Sequence, residues 1–476
     1  MIYVALIAYV LIALALGLIA RRMEVAKTPE DYFLANRGLG ILLVFFTMIA
    51  TNFSAFFFLG FAGAGYRIGL SYYAMMAYGT ALVVFSIFFV GLPIWRQGKQ
   101  TRCITPAELI EKKLRSKPLA LLYMAVMVVF TLPYIAIQPI GAGYLLEQLT
   151  GGEIPYFWGA FLLTAVMVAY VWLGGMRSVA LTDAFQGIMM FVFMFLALFT
   201  IAEALGGFAQ ANVAAWRQHP SLFSREGVDG YFTPQKWISF MILWIVSIPM
   251  FPQIFMRYYT ARSARGLYIT ALLYPVVTVT LFLCPVLIGI WGHLKFPGLE
   301  GKASDQILPM MLSAYAPEWI PPLVMMGALA AFMSTMDSQL LALSSMLTRD
   351  VYTDLLAPTA PLERQTRLGR WLVIILAVIG LAIAVQPPAT IFAIAKSAFT
   401  GLAVLFPTTI AALYFADRVH PLSCILSILF GELLLAGFLL KLIPSEWTLG
   451  FLEVVPILIG ATVVLLGSNV LLRSRK

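Results

Sequence analysis

Ser247-Ile248-Pro249-Met250-Phe251-Pro252-Gln253 and Phe58-Leu59-Gly60-Phe61-Ala62-Gly63-Ala64-Gly65 decide how this chain folds. Each interrupts an apolar run long enough to cross a bilayer, 234–254 for the first and 40–66 for the second. A proline removes a backbone donor, and carbonyls left free at membrane depth are tolerated only beside a cavity or a ligand. Polar Thr51, Asn52 and Ser54 precede the glycines in the second run. The glycines alone also suit ordinary packing, because small residues let membrane helices touch. The two runs are spans two and seven of the chain, five apart. Interrupted helices at matching positions of two halves indicate an inverted-repeat transporter with its site at the bilayer midplane.

The rest of the chain supplies the membrane. It has 476 residues, of which 61% are hydrophobic and only 11% charged. Soluble chains carry about 25% charged residues, and long ones split into domains with polar boundaries, so this is an all-α polytopic membrane protein. Apolar runs of roughly 20 residues give thirteen candidate spans: 2–20, 40–66, 72–95, 118–148, 155–173, 179–206, 234–254, 267–292, 319–345, 368–385, 388–414, 421–441 and 448–471. Of the Lys and Arg residues, 23 fall in loops on the side of Arg21, Arg22 and Arg37 and 7 on the other. By the positive-inside rule the first set is cytoplasmic, with the N-terminus outside and the C-terminus inside. The net charge of +9 therefore reports topology and no nucleic acid is expected as a partner. Loops 207–233 and 293–318 are too short to be domains, and Leu-Leu-Arg-Ser-Arg-Lys ends the last span, so residues 1–476 read as one membrane domain. Three cysteines and three histidines share no motif spacing, and no metal site beyond a hard monovalent cation is expected.

Ionisable groups inside spans are costly and mark function. Asp183 follows Thr182 near the start of span six, and Asp337 lies mid-span in Ala331-Phe-Met-Ser334-Thr335-Met-Asp337-Ser338. Positions 331, 334, 335 and 338 fall on one helical face. Hydroxyl and carbonyl oxygens converging there, without nitrogen or sulfur, suit Na⁺. The plainer reading is that the hydroxyls bond back to their own helix; the buried Asp beside them favours a site. Three readings of Lys396 stand open: it faces a carboxylate solute, binds a buried Asp, or reaches an interface. Glu203 and Glu432 read as interfacial.

At these residues the chain resembles the sodium:solute symporters over almost its full length, nearest their monocarboxylate and pantothenate branch. The likeness rests on Asp31-Tyr32-Phe33-Leu34 with Asn36-Arg37, on Gly174-Gly175-Met-Arg-Ser-Val-Ala-Leu-Thr182-Asp183-Ala-Phe-Gln186, and on Ala331 to Ser338 running on to Ser344-Ser345 and Asp350-Val-Tyr352. For the branch it rests on Thr131-Leu-Pro133-Tyr134-Ile-Ala-Ile-Gln138 and Ser54-Ala-Phe-Phe-Phe-Leu-Gly60. It implies an inverted five-plus-five repeat of the leucine-transporter type, with an extra first helix (2–20), repeats at 40–206 and 234–414, and two C-terminal helices (421–471).

The resemblance also implies a Na⁺ site made of the carbonyls of Ala50, Phe53 and Ala331 and the hydroxyls of Ser334 and Thr335. A possible second cation site takes Asp183, Ser334, Asp337 and Ser338; Asp337 stands where a hydroxyl is expected, so a second Na⁺ or a proton are both open. The solute positions are Asn52, Ser54, Phe57, Tyr134, Gln138, Phe251 and Ser397, with Lys396 suited to an anion. Phenylalanines at 57 and 251, where sugar-carrying members are polar, imply a smaller ligand with fewer hydroxyls. Arg257 matches a gating or anchoring arginine.

The expectation is a Na⁺-coupled symporter of a small organic solute, first a monocarboxylate, with an amino acid such as proline, or pantothenate, as alternatives. It would sit in the plasma membrane of a bacterium or archaeon, with the lipid bilayer and the solute as partners and no obligatory protein partner. A transporter-like sensor and an ion channel compete. A channel needs a continuous pore rather than matched broken helices. An enzyme is not expected, since no nucleophile elbow or phosphate loop lies at membrane depth.

Overall fold

The computed structural model describes residues 1–22 and 28–473. Lys27, Arg475 and Lys476, which enter the count of basic residues, lie outside them. Among the described residues the chain is helical throughout, with no strand. The apolar helices are α1 (Ile2–Arg22), the bent pair α2 (Ile41–Asn52) and α3 (Phe56–Ile68), α4 (Leu70–Thr101), α5 (Lys117–Leu149), α6 (Tyr156–Ala204) and the bent pair α7 (Pro234–Met250) and α8 (Pro252–Thr260). They continue with α9 (Ala264–Leu294), α10 (Ile320–Leu356), α11 (Leu362–Ala384), α12 (Ile391–Tyr414), α13 (Pro421–Leu439) and α14 (Val454–Arg473). Several start at a hydroxyl cap followed by proline. At α7, for instance, Thr233 accepts the Lys236 N–H and Pro234 opens the helix, where its missing donor costs nothing.

Both predicted interruptions are present. The axis turns by 52° between α2 and α3 and by 58° between α7 and α8. The turns fall at Phe53 (φ −99°, ψ 102°) and Phe251 (φ −63°, ψ 129°), both extended. Beyond the first turn the chain re-enters helix through a wide π turn, Phe56–Gly60. The α6 helix is 49 residues long, about 74 Å at the α-helical rise and more than twice a bilayer core of about 30 Å. It bends at Gly175, whose φ of 53° and ψ of −141° suit only glycine. With each bent pair taken as one crossing, the described helices give twelve apolar spans against the thirteen expected; the length of α6 is enough for two crossings.

The core sits around α10, 89% of whose most apolar window is buried, against 22% for α1 and for α14. α10 packs on α6, α5, α2 and α8, so the Ser334–Ser338 stretch is enclosed by both broken helices. α5 passes the first turn so closely that a Cβ at Gly141 would lie 2.5 Å from that of Ala55. Leu39, just before α2, donates its N–H to the Thr260 carbonyl (3.1 Å) and accepts from the Arg262 N–H (3.0 Å), which straps the start of α2 to the end of α8.

Ion pairs gather at the two ends of the bundle. At the end with the basic loops lie Arg37–Glu30 (2.8 Å), Arg177–Asp31 (2.9 Å), Arg349–Glu108 (2.9 Å) and Lys117–Asp354 (2.7 Å). At the other end Arg67, on the last turn of α3, pairs with buried Asp305 (3.3 Å), which also accepts the Ile391 N–H at the start of α12 (2.8 Å). Glu203 is exposed near the end of α6. Glu432 lies mid-helix in α13 with Oε1 buried, not at an interface as expected, because α13 runs from Pro421 to Leu439.

Candidate cation and solute sites

The first turn leaves carbonyls at the end of α2 open to other partners, because Phe53 leaves the helical region there; the Ala50 carbonyl still accepts the Phe53 N–H (3.2 Å). Two hydroxyls from α10 meet them. Ser334 Oγ lies 3.0 Å from both the Ala50 and the Ala331 carbonyl oxygens. Thr335 Oγ1 lies 3.2 Å from Thr51 O, 3.3 Å from Phe53 O and 3.2 Å from Ala331 O. All five oxygens named from the sequence are thus gathered in one place, fully buried. Thr51 O joins them, an oxygen the sequence reading did not name. The donor set is oxygen only and carries no formal charge, which suits a weakly bound hard monovalent cation and fits Na⁺ carried as cargo.

The four residues assigned to a second cation are less free. Asp183 Oδ2 pairs with Arg257 Nη2 at 3.0 Å, both side chains being fully buried, and also accepts the Thr47 hydroxyl. Arg257 donates to Ser338 Oγ as well. Ser338 Oγ further lies 2.8 Å from Ser334 O, 3.0 Å from Asp337 Oδ1 and 3.1 Å from Thr51 Oγ1. Asp337 Oδ2 accepts the Tyr170 hydroxyl at 2.6 Å. Arg257, on the last turn of α8 as expected, thus reaches into this cluster with its guanidinium. Thr47 and Tyr170, which no local motif marks, complete it.

The second turn carries the solute positions. Phe251 packs on Tyr134 (centroids 5.1 Å) and on Phe399 (4.6 Å), and Tyr134 lies 5.8 Å from Phe399. The Tyr134 hydroxyl lies 3.3 Å from Ser54 Oγ, and Gln138 Oε1 accepts the Ala55 N–H at 2.9 Å. Ser54, Tyr134, Gln138 and Phe251 are therefore brought together between the two turns. Asn52 is half-buried and its Nδ2 donates to the Met48 carbonyl (2.8 Å).

Phe57 lies in another ring cluster, with Phe53 (5.1 Å), Phe61 (5.6 Å) and Phe282 (5.5 Å). It is Phe56 that reaches Phe399, at 6.4 Å. Ser397 is half-buried on α12. Lys396 does not point at the cluster of acids: its Nζ lies 3.3 Å from Glu453, with 29% of the side chain exposed, which is the interfacial reading of the three. Phe399, absent from the sequence-based set, is found only through the packing of α12.

The model of the sodium:solute symporter family matches residues 32–431. The sodium/pantothenate symporter of Escherichia coli is 25% identical over 468 residues, covering 98% of this chain and 95% of its own length. The sodium/proline symporter of Staphylococcus aureus is 25% identical over 477 residues, covering 97% and 91%. Among solved structures, a Na⁺-coupled sialic acid symporter in a substrate-bound outward-open state superposes with a TM-score of 0.82 at 15% identity, covering 99% of this chain and 98% of that one. A nucleobase-cation-symport-1 family transporter in a closed conformation gives 0.63 at 13% identity, covering 94% and 96%; both likenesses are of fold.

Proposed function

The chain belongs to the sodium:solute symporter family, and from that premise we propose that it carries one small carboxylate-bearing solute into the cell with Na⁺ by alternating access. As a family of transporters this is a multi-pass membrane protein coupled to sodium. The observation that carries the reading is the joint placement of the two turns: oxygens converge at Phe53, and an aromatic, hydroxyl-bearing cluster forms at Phe251. In this reading Na⁺ is held by Ala50, Phe53 and Ala331 carbonyls with Ser334 and Thr335. Those oxygens come from α2 and α10, so the ion draws these helices together. Its charge replaces hydroxyl protons as the partner of the carbonyls, which favours the closed pocket that Ser54 and Tyr134 line.

In this reading the solute is met by Ser54, Tyr134, Gln138, Phe251 and Phe399, whose side chains pack on one another in this closed arrangement. These groups suit a ligand with an apolar body and a few polar atoms. With Lys396 engaged by Glu453, a solute carboxylate is met by hydroxyls and amides, not by an ammonium. The relatives' names point to pantothenate and proline, the two alternatives, ahead of the simple monocarboxylate first expected. Pantothenate stands first, because the likeness to the sodium/pantothenate symporter spans nearly both whole chains. The basic end faces the cytoplasm on the positive-inside rule, and residues 40–206 and 234–414 form the two inverted repeats.

The test is uptake into proteoliposomes of labelled pantothenate, proline, pyruvate, lactate and a hexose, each with an inward Na⁺ gradient or with choline in its place. Accumulation of pantothenate only with Na⁺ is expected. Accumulation of pyruvate alone would return the monocarboxylate, and uptake that follows a pH gradient and ignores Na⁺ would refute the coupling.

A further inference from the structure

We propose that Arg257 is a tethered cation: its guanidinium occupies the place a second Na⁺ would take between Asp183 and Ser338, so that a single Na⁺ accompanies each solute. The inference rests on the symport reading above and fixes its stoichiometry. Each of the four residues that would hold a second ion already has a partner, although Asp183 Oδ1 has none. Asp183 Oδ2 faces Arg257 Nη2 at 3.0 Å. Ser338 Oγ accepts from the same guanidinium. Asp337 Oδ2 takes the Tyr170 hydroxyl at 2.6 Å. Ser334 Oγ is turned to the Ala50 and Ala331 carbonyls, both at 3.0 Å, in the first site.

A guanidinium keeps its charge in any protein environment, so this site is compensated at all times by a positive group that cannot leave. Na⁺ draws energy from its gradient only by crossing the membrane, and a side chain does not cross. Arg257 therefore gives Asp183 the compensation a second ion would give, without adding to the driving force. Its position matters too. It lies on the last turn of α8 and reaches Asp183 on α6 and Ser338 on α10, so it ties the second broken helix to both. Asp183 Oδ1 and Arg257 Nε are buried without a protein partner, which leaves the acid with spare acceptor capacity once the arginine is removed.

The experiment uses the reconstituted full-length protein and the solute that it accumulates. Fluxes of ²²Na⁺ and labelled solute are measured together, and accumulation is measured at a tenfold Na⁺ gradient with no membrane potential. One coupled Na⁺ limits an uncharged solute to about tenfold accumulation and two allow about a hundredfold, since each tenfold gradient adds one equal increment of free energy. The wild type is expected to give a flux ratio of one and a Hill coefficient for Na⁺ of one. Arg257→Gln is expected to raise both towards two, as Na⁺ enters beside Asp183. If that variant fails to fold, Arg257→Gln with Asp183→Asn removes both charges and is expected to fold and to keep a ratio of one. A wild-type ratio of two, or a folded Arg257→Gln protein that still couples one, overturns the proposal. Uptake indifferent to Na⁺ in the wild type overturns the symport reading, and the proposal with it.

Discussion

Replacing Thr335 by valine removes one oxygen from the centre of the proposed Na⁺ site and little else, because the two side chains have nearly the same shape. Thr335 Oγ1 lies within 3.3 Å of three carbonyl oxygens, those of Thr51, Phe53 and Ala331. It is the atom shared most widely among the ligands. A contact between a dipole and a charged partner contributes about 1.5–3 kcal/mol, so the half-saturating Na⁺ concentration should rise about 10- to 100-fold. Thr335→Ser keeps the oxygen and should stay within about threefold of wild type, less than 1 kcal/mol. The assay is initial uptake at saturating solute over a series of Na⁺ concentrations, with choline holding ionic strength constant. A parallel measurement follows the melting temperature in detergent with and without Na⁺, because an ion that binds only the folded state raises it. A folded Thr335→Val protein with an unchanged Na⁺ requirement and an unchanged Na⁺-dependent melting shift would refute the assignment. The hydroxyl would then belong to helix packing.

Three further outcomes follow from other parts of the structure. Burial pushes the Asp305 carboxyl up to about 6, against the pull of Arg67 and the Ile391 N–H. As pH falls through 6 the folded state binds a proton that the unfolded chain does not take up until near 4, so the melting temperature should rise between pH 7 and 5, by at most about 1.4 kcal/mol of stability, and Asp305→Asn should flatten that rise. Gly175→Ala places a Cβ 2.5 Å from the Tyr32 carbonyl oxygen at a backbone angle that alanine resists, so a loss of about 1–3 kcal/mol should appear as a lower melting temperature; an unchanged value would count against the bend. Lys396→Met should leave the solute KM within about twofold, under 1 kcal/mol, because the ammonium faces Glu453; a large rise in KM would restore Lys396 to the pocket.

What the sequence reveals here is what it encodes locally. Broken spans two and seven, the Ser334-Thr335 pair and the Gly174-Gly175 boundary each depend on neighbours within a few residues, and each stands where the pattern puts it. Arg257 was harder to read, since the acid it meets lies 74 positions away on another helix and nothing near it marks a burial. Lys396 left three readings open for the same reason, its partner Glu453 being 57 positions distant. The exchange of Phe57 for Phe56 beside Phe399 has a different cause. The chain leaves the helix at Phe53 and re-enters it through the π turn that begins at Phe56, so the phase of the side chains is reset at the break, a shift that helical periodicity does not register. Thr47 and Tyr170 are single polar residues in apolar runs, and only packing shows that both face acids.

The paired hydrogen bonds of Leu39 to Thr260 and Arg262 make the two bent helices into one lever. Closed at that end, α2 and α8 cannot slide independently along the membrane normal, and the turns at Phe53 and Phe251 become elbows of a common arm. In the proposed symporter, a cation at the first elbow would bear through this strap on the angle of the second, with no contact between the two ligands. Lengthening the strap by a single glycine between Leu39 and Gly40 would add play to that linkage: sodium would still bind, solute would still bind, and the two would cease to move in step.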